Sequence, residues 1–213
     1  MSSMPDVYKY EEYQGFDSLF SAEITKDDAT GYTAGTPFAL APAGEIAVST
    51  DRASAPKYYD NQPFLIVSAE GFDEATLTVP VLPIALIARL LGKIVDTTTG
   101  ALLDTGVTQT KYFALGYRLK FTDGTYRYVW RHKGTFRQEE ESAKSQDNTT
   151  DTNNHQLIFT GITTIYKFTM PDTSKKPGKQ IVVDERDAKA NVSTWFTQVV
   201  TPENLTAITP VTP

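Results

Sequence analysis

The 213-residue chain contains no cysteine. That absence removes disulfide frameworks, thiolate metal sites and cysteine nucleophiles together, and it fits folding in a reducing compartment. Histidine is nearly as scarce. His132 and His155 are the only two, far apart in sequence, and no pair has helical ligand spacing. Neither a phosphate-cradling glycine pattern nor a Gly-x-Ser-x-Gly elbow occurs. Basic residues are outnumbered, 20 against 26 acids, for a net charge of −6 and a pI near 5.0. That balance argues against tight, sequence-independent nucleic-acid binding. The polar, tyrosine-rich residues 1–14 carry no charged-then-apolar leader. The longest apolar run, residues 81–91, is interrupted by Arg89 and falls far short of the ~20 residues that span a bilayer. These absences predict a soluble, cytoplasmically made protein that is not an enzyme and uses no cofactor and no metal.

What is present reads as strands. Residues 1–15 form an arm with no periodicity. Phe20, Ala22 and Ile24 alternate with polar neighbours, the pattern of a half-buried strand, and residues 26–31 supply a turn. Short strand pieces lie at 38–40, 46–48, 64–67 and 75–79. Between them, residues 51–63 hold Pro56, Pro63, Tyr58 and Tyr59 without a period. That predicts a long loop, of the kind that is usually functional, and paired tyrosines favour a contact-making role. One helix is predicted over about 81–92, with Pro83 in its first turn and Gly92 just past its end. Its apolar stripes cover most of the circumference, so it is buried on two sides or reserves one side for a neighbour.

The centre of the chain is a hairpin. Phe113, Leu115, Tyr117, Leu119 and Phe121 share one strand face, and Asp123-Gly124 is the strongest short-range hairpin signal. Beyond the turn, Tyr126, Tyr128 and Trp130 alternate with Arg127, Val129 and Arg131. Residues 142–155 read as a polar loop. Residues 157–170 read as a last long strand with Ile158, Ile162, Tyr166 and Phe168 on one side. A short helix carrying Trp195 and Phe196 is expected near the C-terminus, and residues 201–213 read as an extended tail. The fold class is therefore mainly β with one helix, organised as an arm (1–15), one domain (16–200) and a tail (201–213).

Several residues imitate chemistry. Asp147, Thr149, Asp151 and Asn153 alternate like calcium ligands but lack the central glycine and final glutamate of such a loop. Glu139, Glu140 and Glu141 could pass for paired catalytic carboxylates, yet consecutive acids are a charged face. Asn148, Asn191 and Asn204 begin glycosylation sequons that, without a secretion signal, are read as chance. The basic and aromatic residues from Tyr126 to Arg137 suggest a base-stacking platform, but cross-strand packing accounts for them better. A carbohydrate-binding or adhesin-like module would use Tyr58, Tyr59, Tyr128 and Trp130 as its stacking surface. An enzyme would need Glu139 or Glu140 as an acid.

The order of the pieces resembles the major tail proteins of siphophages, the phi13-type tail tube proteins. The resemblance is carried first by Gly15-Phe16-Asp17-Ser18-Leu19-Phe20-Ser21-Ala22-Glu23-Ile24-Thr25-Lys26-Asp27-Asp28. Leu82-Pro83 with Leu90-Leu91-Gly92, and Ala114-Leu115-Gly116-Tyr117, come next in order. Tyr126-Arg127-Tyr128-Val129-Trp130 with Lys133-Gly134, and the late Trp195-Phe196, complete the set. It implies a β-sandwich or barrel with a flanking helix, a long loop and terminal arms. It implies subunits that close into hexameric rings and stack into a tube through which DNA passes without tight binding. It also implies tape measure, tail terminator and distal tail proteins as partners, and a place in the virion tail after assembly in the bacterial cytoplasm. Under that resemblance Asp51, Arg52, Lys57, Tyr58, Tyr59 and Asp60, with Tyr8, Tyr10 and Tyr13 of the arm, are the expected inter-subunit contacts. Glu139, Glu140 and Glu141 are candidates for an acidic bore that repels the DNA backbone.

Overall fold

A computed structural model describes residues 10–42, 44–59, 62–106, 109–138, 155–187 and 189–208, with the backbone alone over 53–59 and 63–69. The elements are β1 (Tyr13–Asp28), β2 (Gly31–Ala34), β3 (Phe38–Ala39), β4 (Glu45–Tyr59), β5 (Gln62–Val79) and α1 (Ile84–Leu91). The chain continues with β6 (Ile94–Val95), β7 (Leu102–Leu103), β8 (Phe113–Phe121), β9 (Tyr126–Gln138), β10 (His155–Ile162), β11 (Lys167–Thr169), β12 (Lys175–Pro177) and β13 (Gln180–Asp184). Nine strands join one antiparallel sheet in the order β2-β1-β8-β9-β10-β5-β4, with β3 added on β1 and β13 on β9. The protein is mainly β, with one α-helix among the described residues.

The sheet forks at β9. Along one side β9 pairs with β8 through the Asp123-Gly124 turn, where Gly124 takes φ 88°, a value glycine reaches without cost. Along the other side Arg127 to Arg131 pair with β13, and Lys133 to Gln138 pair with β10. His132, at the fork, donates its backbone N–H to the Lys179 carbonyl. β9 is thus hydrogen-bonded on both edges over most of its length.

Both faces of the sheet are covered, by different means. On one face Phe113, Leu115 and Tyr117 pack with Leu77, Leu157 and Phe159, and Leu82, Leu86, Ile87 and Leu90 of the helix region close over them. Residues of β1 (Leu19) and of β4 (Ile46) join the same cluster, so the two wings of the sheet curl around it. On the other face Ala22, Ala114 and Trp130 lie under Trp195, Val199 and Val200. Trp130 donates from Nε1 to the Trp195 carbonyl at 2.9 Å and fills the space over Gly116, where a Cβ would stand 2.7 Å from its ring. Each large apolar side chain taken fully out of water adds about 1.5–3 kcal/mol.

The helix is shorter than expected. Pro83 is its cap, in extended conformation (φ −60°, ψ 143°), and Gly92 closes it in the left-handed conformation with φ 67°. Val81 lies outside it, 73% exposed. Both apolar stripes are only partly satisfied: Ala88 and Leu90 are buried, whereas Ile84 is 49% exposed.

Several expectations fail for identifiable reasons. Residues 51–59 and 62–63 are strand, not loop: β4 and β5 pair from Glu45 opposite Thr78 to Tyr59 opposite Gln62, with register shifts between Thr50 and Arg52 and between Lys57 and Tyr58. Pro56 and Pro63 read as breakers, but β10 pairs with β5 only from Asp73 onward. Both prolines therefore sit in a two-strand ribbon, where an outward backbone position demands no N–H. Residues 13–15 of the expected arm belong to β1, because Tyr13 stacks on Phe121 with centroids 5.2 Å apart. Residues 157–170 are not one strand. Its ladder stops at Ile162, since the Asp27 carboxylate accepts the N–H groups of Ile165 and Tyr166 and turns the chain. The C-terminal helix is a run of tight turns, Trp195 to Val192 and Thr197 to Thr194, in a stretch of β-branched residues that resist helix. The tail is partly docked as well: Thr201 is buried and Ala207 bridges Ala190. His155, expected in a loop, opens β10 and meets Gln138 at 2.9 Å.

Candidate assembly surfaces

Three features of the sheet are not satisfied among the described residues. The first is the β4–β5 ribbon. Past Thr50 and Asp73, nine residues of β4 and eleven of β5 have only each other as ladder partners among the described residues. At ~3.3 Å per residue they reach about 30 Å beyond the body. An isolated two-stranded hairpin is marginal in water, so this one calls for a second surface. Asp51, Arg52, Glu70, Gly71 and Phe72 at its root are exposed, and Arg52 Nη2 lies 3.3 Å from Glu70 Oε1. That ion pair is open to solvent on both sides and contributes little.

The root itself is clamped. Asp73 is 3% exposed, bonded to Arg131 Nη1 and 2.8 Å from Lys179 Nζ. Lys179 also donates to the Gly71 carbonyl at 2.9 Å. Burial pushes the Asp73 carboxyl up, but bonds from Lys179 and Thr50 and the charges of Arg131 and Lys179 outweigh it and hold it below the usual range. A second clamp lies two residues along β9, where Lys133 Nζ is 2.6 Å from Asp27. Burial again opposes ionisation there, and Lys133 with the Tyr166 and Ile165 N–H groups lowers the carboxyl nonetheless. These two pairs join the ribbon's root and the 162–167 turn to the best-packed strand of the molecule.

The second feature is free edge. The outer side of β4 and the outer side of β13 have no ladder partner among the described residues. Val48 and Val182 on these strands are 42% and 44% exposed. Lone proteins usually cover or charge such edges.

The third is an apolar groove of about 660 Å³ between β1 and the segment leading into α1. Phe16, Leu19, Leu40, Pro80, Val81 and Leu86 are among its walls. A bulge in β1 opens it: the pairing with β8 shifts register between Asp17 and Phe20, and Ser18 is held at φ 56°. An Arg118–Asp17 ion pair pins the bulge from outside.

The expected contact residues do not form one site. Asp51 and Arg52 lie at the ribbon's root, and the backbone of Lys57, Tyr58 and Tyr59 runs to its tip. Tyr10 is 87% exposed, while Tyr13 joins Phe121 and Arg127 near the β8–β9 turn, several strands away from β4 in the sheet. Tyr8, Asp60, Glu139, Glu140 and Glu141 lie outside the described residues, as does the 147–153 acidic alternation. Tyr128 and Trp130 are 7% and 0% exposed, so neither offers a face to a sugar; Arg118 and Trp195 pack them instead. Sequence reasoning missed the groove and both clamps, whose members lie 58 and 106 residues apart. No local pattern carries such pairs.

Among the described residues no group of three or more His, Asp or Glu could hold a metal ion, and no helix is long and apolar enough to cross a membrane. No protein-family model matches the chain, and no curated protein matches it either.

Proposed function

We propose that the chain is a structural subunit of a phage tail tube, one that assembles with copies of itself and catalyses nothing. The observation that carries this reading is the β4–β5 ribbon, a long protruding element with no partner in its own chain among the described residues. The free edges of β4 and β13 support it. Paired between neighbours, they would extend one sheet around a ring, and head-to-tail contacts that close make rings. Six subunits per ring, a DNA-conducting bore, residence in the virion tail, and contacts with tape measure, terminator and distal tail proteins are parts of the proposal that the motif resemblance suggests. An acidic subunit suits such a conduit, because negative walls let the DNA backbone slide.

The test is a ribbon deletion that leaves the body intact. Thr50 and Asp73 face each other in the ladder, so replacing residues 51–72 by Asn-Gly closes a two-residue hairpin. The expected outcome is an unchanged β-type circular dichroism spectrum with no long tubes in negative-stain micrographs, where the intact chain makes them. Tubes of undiminished length from the shortened chain would refute the role given to the ribbon.

A further inference from the structure

The ribbon leaves the body where the sheet changes partners. The β10–β5 ladder ends with Gly161 opposite Asp73, and β13 takes over beside β9 from Gln180 opposite Arg131. No ladder joins β13 to β5 among the described residues. Lys179 crosses between them instead. Its Nζ lies 2.8 Å from Asp73 Oδ1 and donates to the Gly71 carbonyl at 2.9 Å, beyond the last residue that β10 pairs. At the same level the β4–β5 register slips. Thr50 faces Asp73 but Arg52 faces Glu70, so Gly71 and Phe72 together oppose Asp51. Such a bulge interrupts the ladder and bends the strand. Asp51, Gly71 and Phe72 are all exposed, so no core stiffens it.

We propose that this bulge is a hinge and that Lys179 is the latch holding the ribbon at one angle to the body. The three charges divide the work. Arg131 bonds Asp73 from β9, and both side chains are buried; that pair secures the end of the ladder. Lys179 grips Asp73 as well, but its second bond is to the bulge itself, at Gly71. While both bonds stand, the bulge cannot flex. The latch is also the part that can let go. The Lys179 side chain is 19% exposed, against 7% for Arg131, and a lysine ammonium is readily hydrated. Its departure leaves Asp73 paired with Arg131, so no buried charge is stranded. Its backbone stays anchored meanwhile, because the Lys179 carbonyl accepts the His132 N–H. The device acts within one chain and stands apart from the tube reading. It fixes the ribbon's direction before any partner is met, which lowers the ordering cost of a later contact.

The absence of cysteine allows a direct test. Ala55→Cys on the ribbon and Gln198→Cys on the C-terminal cover provide two unique spin-label positions. Double electron–electron resonance on the full-length chain, kept unassembled by dilution, reads the distance between them. The closed latch gives one narrow distribution. Lys179→Met should widen it roughly twofold or more, since a hinge without its stop samples further angles, while the circular dichroism spectrum stays unchanged. Lys179→Arg keeps the charge and the donors and should narrow it again. Arg52→Ala removes the exposed ion pair with Glu70 at the same level and should leave it narrow. A broad distribution in the labelled chain with Lys179 in place, or a narrow one with Lys179→Met, overturns the latch. So does a failure of Lys179→Arg to restore the narrow form, or an equal widening with Arg52→Ala, which means a general loosening of the root. Lys179→Gln is the milder variant if Lys179→Met does not fold. Loss of the fold in both makes Lys179 part of the body and overturns the latch too. Because single chains are measured, none of these failures touches the tube reading, which the micrographs of the shortened chain decide.

Discussion

His132 sits at the fork of the sheet with its ring walled in by Tyr32 and Phe168. It is fully buried. Its Nε2 meets the Val200 carbonyl at 3.1 Å, so that nitrogen carries the proton, and Nδ1 finds no acceptor or donor among the described residues. Burial drives its pKa down to about 4, against the opposing pull of the Val200 carbonyl. The fold therefore favours the neutral ring. Its contribution is complete above the unfolded value of about 6.5 and declines as pH falls towards 4, by about 3 kcal/mol in total. Urea midpoints should drop across that window, and His132→Leu should flatten the dependence. The buried carboxylates act lower down. Asp27 and Asp73 titrate below their ordinary range, so the stability they lend is present above that range and lost only under stronger acid. Lys133→Met should cost about 3 kcal/mol in urea unfolding at neutral pH, because it leaves the Asp27 charge buried without its cation. None of this is legible in the sequence. Asp27 reads locally as turn punctuation, and its partners at Lys133, Ile165 and Tyr166 are more than a hundred residues away.

At the scale of elements, local signals are the legible ones. The Asp123-Gly124 hairpin, the apolar face of Phe113, Leu115, Tyr117 and Leu119, and the Pro83–Gly92 brackets of the helix all depend on neighbours within a few positions. The ribbon escapes for the converse reason. Its strands are held by pairing between β4 and β5 rather than by alternation, and the prolines at positions 56 and 63, each opposite a partner inside the ribbon, imitate a loop. The groove beside β1 is invisible because a bulge, and not a residue pattern, shapes it. Gly134, in sequence only one member of a motif, proves sterically demanding. A Cβ there would stand 2.4 Å from the Phe159 ring and 2.5 Å from the Thr160 carbonyl oxygen, a backbone atom that cannot step aside. Gly134→Ala should thus destabilise by about 2–3 kcal/mol, measurable as a fall in thermal midpoint. Gly124→Ala has open space around its Cβ and should suffer only the backbone strain of its positive φ.

For the whole molecule the governing quantity is charge. Each copy carries −6, so copies repel before their surfaces meet, over a screening length of ~10 Å at 0.1 M salt. Raising sodium chloride from roughly 20 mM to roughly 300 mM should accelerate assembly, measured as light scattering, because screening removes the repulsion and leaves apolar docking intact. Slower assembly at high salt would mean that ion pairs, not apolar contacts, drive association. What remains available for association is set by the covering of the sheet. The helix occupies one face and the Trp195 to Val200 segment the other, so layering of sheet upon sheet, the geometry of amyloid, is shut off over the body of the sheet. Peeling that C-terminal cover away, by truncation before Asn191 for instance, would uncover Trp130 and exchange ordered polymer for precipitate.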